Sequence, residues 1–165
     1  MIFLFGAVSG AHFNPAVSFG FYLIGRFNKN LVLSYIFFQF FGAISASLIL
    51  KLAFPNALTS GNTFSSTAIY LAFFAEIIIS FLLMVVILWT SKGSWESGII
   101  TAFIVGVMVF LAAFFAGSIS GASMNPARSL GPAIASWNFK HLFMYLSAPF
   151  LGVGLSTYLF KKSGR

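Results

Sequence analysis

The chain has 165 residues, 59% of them hydrophobic and only 7% charged, with a formal net charge of +7 and no cysteine. A soluble domain so poor in charge could not cover its surface with polar groups, and without cysteine there is no disulfide, thiol chemistry or Cys-based metal site. The nine basic residues stand mostly singly at the ends of apolar runs, as interfacial anchors do, which argues against a nucleic-acid surface.

Residues 1–8 are apolar but carry no basic leader and no small-residue cleavage site, so they do not read as a signal peptide. Residues 14–25 form an apolar run of twelve, roughly 18 Å as helix and little more than half a bilayer. The run 31–52 is the first long enough to span. Residues 53–67 follow, with the Pro, Asn, Ser, Thr and Gly content of a loop. Spans are predicted at 68–90 and 99–116, joined by a polar link at 91–98 that carries Lys92 and Glu96. A second run of twelve covers 125–136, and a last span covers 140–160. The expected fold is therefore an all-α membrane protein with four full spanning helices and two re-entrant half-helices.

Topology follows from Lys and Arg. A cytoplasmic C-terminus carrying Lys161, Lys162 and Arg165 places Arg26, Lys29 and Lys92 on the same side. The opposite side keeps Lys51, Lys140 and Arg128, and six against three agrees with the positive-inside rule.

An internal repeat decides the architecture. Ser9-Gly10-Ala11-His12-Phe13-Asn14-Pro15-Ala16-Val17-Ser18-Phe19-Gly20 aligns without gaps with Ser120-Gly121-Ala122-Ser123-Met124-Asn125-Pro126-Ala127-Arg128-Ser129-Leu130-Gly131, identical at eight of twelve positions. With one residue removed, Tyr35 meets Tyr145, Gln39 meets Pro149 and Gly42 meets Gly152. Three crossings separate the copies, and an odd number inverts the second. Inverted repeats whose broken helices meet at the midplane are a recurring way to build a translocation path.

The tripeptide Asn-Pro-Ala has a matching chemistry. A helix start leaves four backbone N–H groups unpaired and carries partial positive charge. Asn suits the cap and Pro the first turn, where its missing N–H is not needed. Asn14-Pro15-Ala16 and Asn125-Pro126-Ala127 would thus hold two amides near the bilayer centre, giving donors to a water oxygen and an unfavourable field to a cation. The irregular backbone before each Asn, at Gly10, Ala11, His12 and Phe13 and at Gly121, Ala122, Ser123 and Met124, would turn its carbonyls toward the same path.

These two motifs resemble those of the major intrinsic protein family, the aquaporins and glycerol facilitators, and the resemblance covers the whole chain. It implies a homotetramer in a lipid bilayer, a pore in each protomer, passage of water and small neutral solutes, and no cofactor or metal. A full member has six spanning helices, so the resemblance makes 1–165 a single channel domain with a truncated first repeat at 1–52 and a complete second one at 68–165. The first helix and most of the second are absent from the pattern. The resemblance makes Arg128 the filter arginine, with Ala122 and Ala113 as its small neighbours, and the fourth filter residue lies on the absent helix. Two alanines suggest a wider and less polar opening than strict water channels have. Ser129 stands where glycerol facilitators carry Asp. The pattern is closest to plant-type and bacterial neutral-solute channels, with water the first expectation and glycerol, urea or a metalloid acid open. Plasma membrane is the expected location.

Other residues are weighed against plainer readings. Glu76, in mid-span, is either a proton carrier or, as the resemblance implies, a brace for the loop holding Arg128. His12 is either a pH-sensitive gate or a neutral imidazole packed beside the pore. Gly117 with Gly121, and Gly42 with Ala46, suit close helix crossings. His141 is read as interfacial and the 23 Phe as lipid-facing or packing bulk. No nucleophile–base pair is present, and Glu76 and Glu96 stand in separate contexts, so enzyme chemistry is not expected. Three functions are carried forward: a passive channel, a non-conducting fragment that needs a longer partner, and a proton-coupled transporter using Glu76.

Overall fold

In the chain, every apolar run becomes a helix. The structure, a computed structural model, describes residues 2–56, 61–91 and 95–164, apart from the side chains of Ala7 and 95–97. Lys92 and Arg165, used in the charge count, lie outside the described residues, as does the side chain of Glu96. The elements are α1 (Ile2–Ser9), α2 (Pro15–Leu23), α3 (Lys29–Ala53), α4 (Ile69–Thr90), α5 (Trp95–Ser120), α6 (Pro126–Ser136) and α7 (Leu142–Lys162). Among the described residues, α3, α4, α5 from Gly98, and α7 are long and apolar enough to cross a membrane.

Boundaries moved where local chemistry demanded it. The first half-helix stops at Leu23 because Gly25 turns left-handed at φ +75°. The second ends on Trp137, itself left-handed at φ 57°, whose N–H is bonded back to Ala133 and Ile134. The helix α5 begins at Trp95, four residues before the expected 99, so the polar link is shorter than its composition suggests.

The strongest packing joins α4 to α7, α3 to α6 and α4 to α5, with α2 and α6 lodged between them. Small residues make the close approaches possible. A Cβ at Gly131 would lie 2.5 Å from the Ala43 carbonyl oxygen of α3. One at Gly152 would overlap the Ile77 carbonyl of α4 and lie 2.9 Å from the Phe81 nitrogen. Among the described residues, no helix crosses at Gly117 with Gly121 or at Gly42 with Ala46, as their spacing leads one to expect: a Cβ at Gly117 or Gly42 would meet nothing within 4 Å, and Gly121 sits in a left-handed turn. Small-residue spacing marks a face that would permit a crossing, and only a neighbour makes one.

That contrast gives a test. Gly152→Ala is expected to lower stability by about 1–3 kcal/mol through overpacking against the α4 backbone. Its repeat partner, Gly42→Ala, is expected to be neutral or to stabilise by up to about 1 kcal/mol through helix propensity. Thermal unfolding of both variants in detergent checks the difference, and equal losses would contradict it.

The basic residues sort to the two ends of the bundle. At one end Arg26 Nη1 reaches the Ser91 carbonyl at 3.5 Å and the guanidinium lies 5.4 Å from the Phe160 ring centroid. At the other, Lys51 Nζ donates to the Ala135 carbonyl at 2.5 Å, placing a cation at the negative end of the α6 dipole.

Candidate functional site

The two half-helices meet end to end at their Asn caps. Asn14 (φ −152°, ψ 117°) and Asn125 (φ −146°, ψ 111°) are extended, and each is followed by a proline in the first turn. Asn14 Oδ1 accepts from the Ala16 N–H at 3.0 Å; Asn125 Oδ1 accepts from Ala127 at 3.0 Å and from Arg128 at 3.4 Å. Their amide nitrogens cross over. Asn14 Nδ2 donates to the Met124 carbonyl at 2.8 Å, and Asn125 Nδ2 donates to the Phe13 carbonyl at 2.9 Å. Each amide is thereby oriented at both ends, and each keeps one N–H unspent. Pro15, Pro126, Ala16 and Ala127 are buried beneath these caps.

Left-handed backbone makes the crossover possible. Gly10 and Gly121 have φ of +70° and +78°, Ala11 and Ala122 +48° and +44°, and Phe13 and Met124 +43° and +53°. For non-glycine residues such angles cost about 1–3 kcal/mol each, and they persist only where surrounding bonds over-determine them. Here those bonds repeat almost atom for atom. Ser9 Oγ and Ser120 Oγ accept from the Ala11 and Ala122 N–H at 3.3 and 3.2 Å. Tyr35 Oη and Tyr145 Oη donate to the Ser9 and Ser120 carbonyls at 3.3 and 2.7 Å. His12 Nδ1 pairs with Ser18 Oγ at 3.1 Å as Ser123 Oγ pairs with Ser129 Oγ at 2.6 Å.

The symmetry fails at Glu76. In the second copy, Glu76 is wholly buried and its carboxylate accepts three bonds: from Ser120 Oγ (2.7 Å) and the Ser123 N–H (2.8 Å) on Oε1, and from the Met124 N–H (2.8 Å) on Oε2. No described group takes that place beside His12 and Phe13. A groove of about 570 Å³ opens there instead, bounded by Tyr35, Phe38, Gln39, Gly42 and Ala43 of α3. Gln39 Oε1, at its edge, is buried without a hydrogen-bond partner.

A second cavity, of about 330 Å³, runs past both caps. It extends from Ser91 and Thr101 at one end, along Leu83, Val105 and Val109, to Asn14, Ala122, Ser123, Met124, Asn125 and Arg128. Gly10, Ala11, His12 and Phe13 also border it. The expected filter position Ala113 is exposed and borders neither cavity; Val109, one turn earlier on α5, borders this one. His12 is stacked on Phe21 with centroids 4.7 Å apart and flanked by Phe27 and Tyr35, which is the packed arrangement rather than a free imidazole.

One polar residue at the site carries no signal in the sequence. Arg128 Nη1 donates to Thr63 Oγ1, and Thr63 Oγ1 lies 2.8 Å from Ser129 Oγ. Thr63 belongs to a Ser/Thr-rich loop that reads as an ordinary connector.

Opposed half-helices inside a bundle of spanning helices define the inverted-repeat class of membrane transport proteins. The family model for the major intrinsic proteins matches residues 1–160, and the chain belongs to that family. It is 46% identical over 156 residues to an aquaporin-type protein, NIP4-1 of Arabidopsis thaliana, covering 93% of this chain and 54% of the relative. To aquaporin NIP6-1 of the same plant it is 39% identical over 159 residues, covering 95% of this chain and 52% of the relative. The chain thus spans about half the length of the curated relatives it matches. Its fold matches the X-ray structure of the aquaglyceroporin from Plasmodium falciparum with a TM-score of 0.84 at 26% identity, covering 98% of this chain and 76% of that one. It is an integral multi-pass membrane protein of an aquaporin-type channel family.

Proposed function

We propose that the chain is the pore-bearing part of a passive channel for water and small uncharged solutes, with glycerol, urea and metalloid acids as the further solute classes. The carrying observation is the crossed pair of caps: Asn14 and Asn125, each with one amide N–H unspent, beside a cavity that ends at Arg128. A neutral molecule gives an oxygen to those donors in turn, while two half-helix N-termini and a guanidinium oppose a cation. In this reading Asn14-Pro15-Ala16 and Asn125-Pro126-Ala127 form the constriction, Arg128 and Ala122 the filter, and Glu76 the brace of the second loop. Residues 1–165 act as one domain, with 1–52 from the first repeat and 68–165 from the second. The assembly is a homotetramer in the plasma membrane, with its C-terminus cytoplasmic.

A second reading, a piece that conducts only when another helix joins it, draws support from the groove along α3 and the unanswered Gln39 Oε1. One experiment separates the two. Vesicles holding the purified chain are mixed against a hyperosmotic step and followed by stopped-flow light scattering. Water flux well above empty vesicles supports the first reading. Flux that appears only on co-reconstitution with a spanning helix bearing a mid-membrane glutamate supports the second. No flux in either case overturns both.

A further inference from the structure

The loop at 61–67 does more than connect α3 to α4. Asn62 Nδ2 donates to Ser136 Oγ at 2.7 Å, tying the loop to the end of α6. Ser65 Oγ and Thr67 Oγ1 donate to the Ile119 carbonyl at 3.1 and 3.0 Å, tying it to the end of α5. Between these anchors Thr63 is buried, and its methyl group lies beside Gly121, where a Cβ would come within 2.7 Å.

Counting protons fixes the direction of the bonds that follow. A guanidinium has donors only, so Arg128 Nη1 donates to Thr63 Oγ1. The single Thr63 hydroxyl proton is then available to Ser129 Oγ at 2.8 Å. Ser123 Oγ commits its own proton to the Asn125 carbonyl at 3.0 Å, so it receives the Ser129 proton across 2.6 Å. Reversing any link leaves one hydroxyl proton without an acceptor. Thr63, Ser123 and Ser129 are all buried, which makes an unspent proton costly.

We propose that Thr63 is a positioning residue for Arg128, the head of a one-way hydroxyl chain, Thr63–Ser129–Ser123, that fixes the guanidinium relative to the backbone of Asn125. Bonds in such a chain polarise one another, so a break anywhere loosens the arginine at its end. The selectivity consequence rests on the reading of Arg128 as a filter residue; the positioning itself does not.

The test therefore uses a readout independent of flux. The chain has three arginines, Arg26, Arg128 and Arg165, so the side-chain 15N–1H signals of the full chain in bicelles are few enough to assign with Arg128→Lys. Thr63→Val removes the hydroxyl at nearly constant shape and is expected to speed solvent exchange of the Arg128 guanidinium protons by about tenfold or more. Arg26 should be unaffected. Thr63→Ser should stay close to the parent chain. Ser129→Ala, which breaks the chain without touching the guanidinium, should act in the same direction, and the double variant should be no worse than Thr63→Val. Unchanged exchange in Thr63→Val overturns the proposal. So does an equal acceleration in Thr63→Ser, or single effects of Thr63→Val and Ser129→Ala that multiply. If Thr63→Val does not fold, Ser129→Ala against Thr63→Ser decides: fast exchange only in the former supports the chain, and any other ranking overturns it. A chain that fails to conduct leaves this spectrum unaltered, so failure of the channel reading is told apart from failure of this one.

Discussion

Glu76→Ala is expected to be the most destabilising single substitution on the described membrane-spanning helices. It leaves the N–H groups of Ser123 and Met124 facing a void in the protein interior, and leaves Ser120 Oγ only the Ala116 carbonyl at 3.4 Å. Each buried donor left unpaired costs about 1–3 kcal/mol, so the two N–H groups together cost about 2–6 kcal/mol, a large share of what holds a typical fold together. The left-handed residues Ala122 and Met124 would lose the bonds that keep them there, and the turn before Asn125 would relax. Glu76→Gln is milder. Its remaining oxygen accepts from Ser120 and Ser123, but its NH₂ meets the Met124 N–H donor to donor, a loss of about 2–3 kcal/mol. Thermal unfolding in detergent should rank parent, Gln and Ala in that order with clear separations. Equal melting of the Gln and Ala variants would mean that burial of the carbon chain, not the carboxylate, holds the loop.

What the sequence shows and what it hides follow from the range of the interactions involved. The half-helix starts are local: Asn at the cap and Pro at the next position announce themselves within two residues, and α2 and α6 begin there. The inversion is also legible, because twelve aligned positions and a count of crossings suffice. By contrast, the bonds that lock the caps join residues about 110 apart, Asn14 to Met124 and Asn125 to Phe13, and no local pattern encodes them. Thr63 is hidden for a different reason. Its hydroxyl differs from those of Ser65, Ser66 and Thr67 only in what lies opposite, and that is decided by the path of the loop. The same holds for glycine: Gly42 and Gly152 are equivalent by repeat, yet only Gly152 has a helix against it.

Arg128→Ala is expected to weaken ion exclusion while sparing water, and the sizes of the fields say by how much. A unit charge about 4 Å from a passing cation is worth about 4 kcal/mol at a near-surface effective dielectric of 20, and about 1 kcal/mol in bulk water. Arg128 is exposed where the cavity ends, so its contribution falls between these limits, about five- to a thousand-fold in flux. The two half-helix N-termini, each equivalent to roughly half a charge, remain in the variant, so exclusion should fall without vanishing. In the proposed reading water passes along the amides of Asn14 and Asn125, which the variant leaves in place, so its flux should change by less than about threefold. Arg128→Lys separates the two roles of this side chain. It keeps the charge, so cations stay excluded, but an ammonium lacks the planar fork that Thr63 holds, so discrimination among neutral solutes should loosen. The measurement pairs stopped-flow water and urea flux with decay of a pH gradient in the same vesicles. A proton leak that is unchanged in Arg128→Ala would assign exclusion to the half-helix dipoles alone. A leak in Arg128→Lys as large as in Arg128→Ala would show that the position of the charge matters more than its presence.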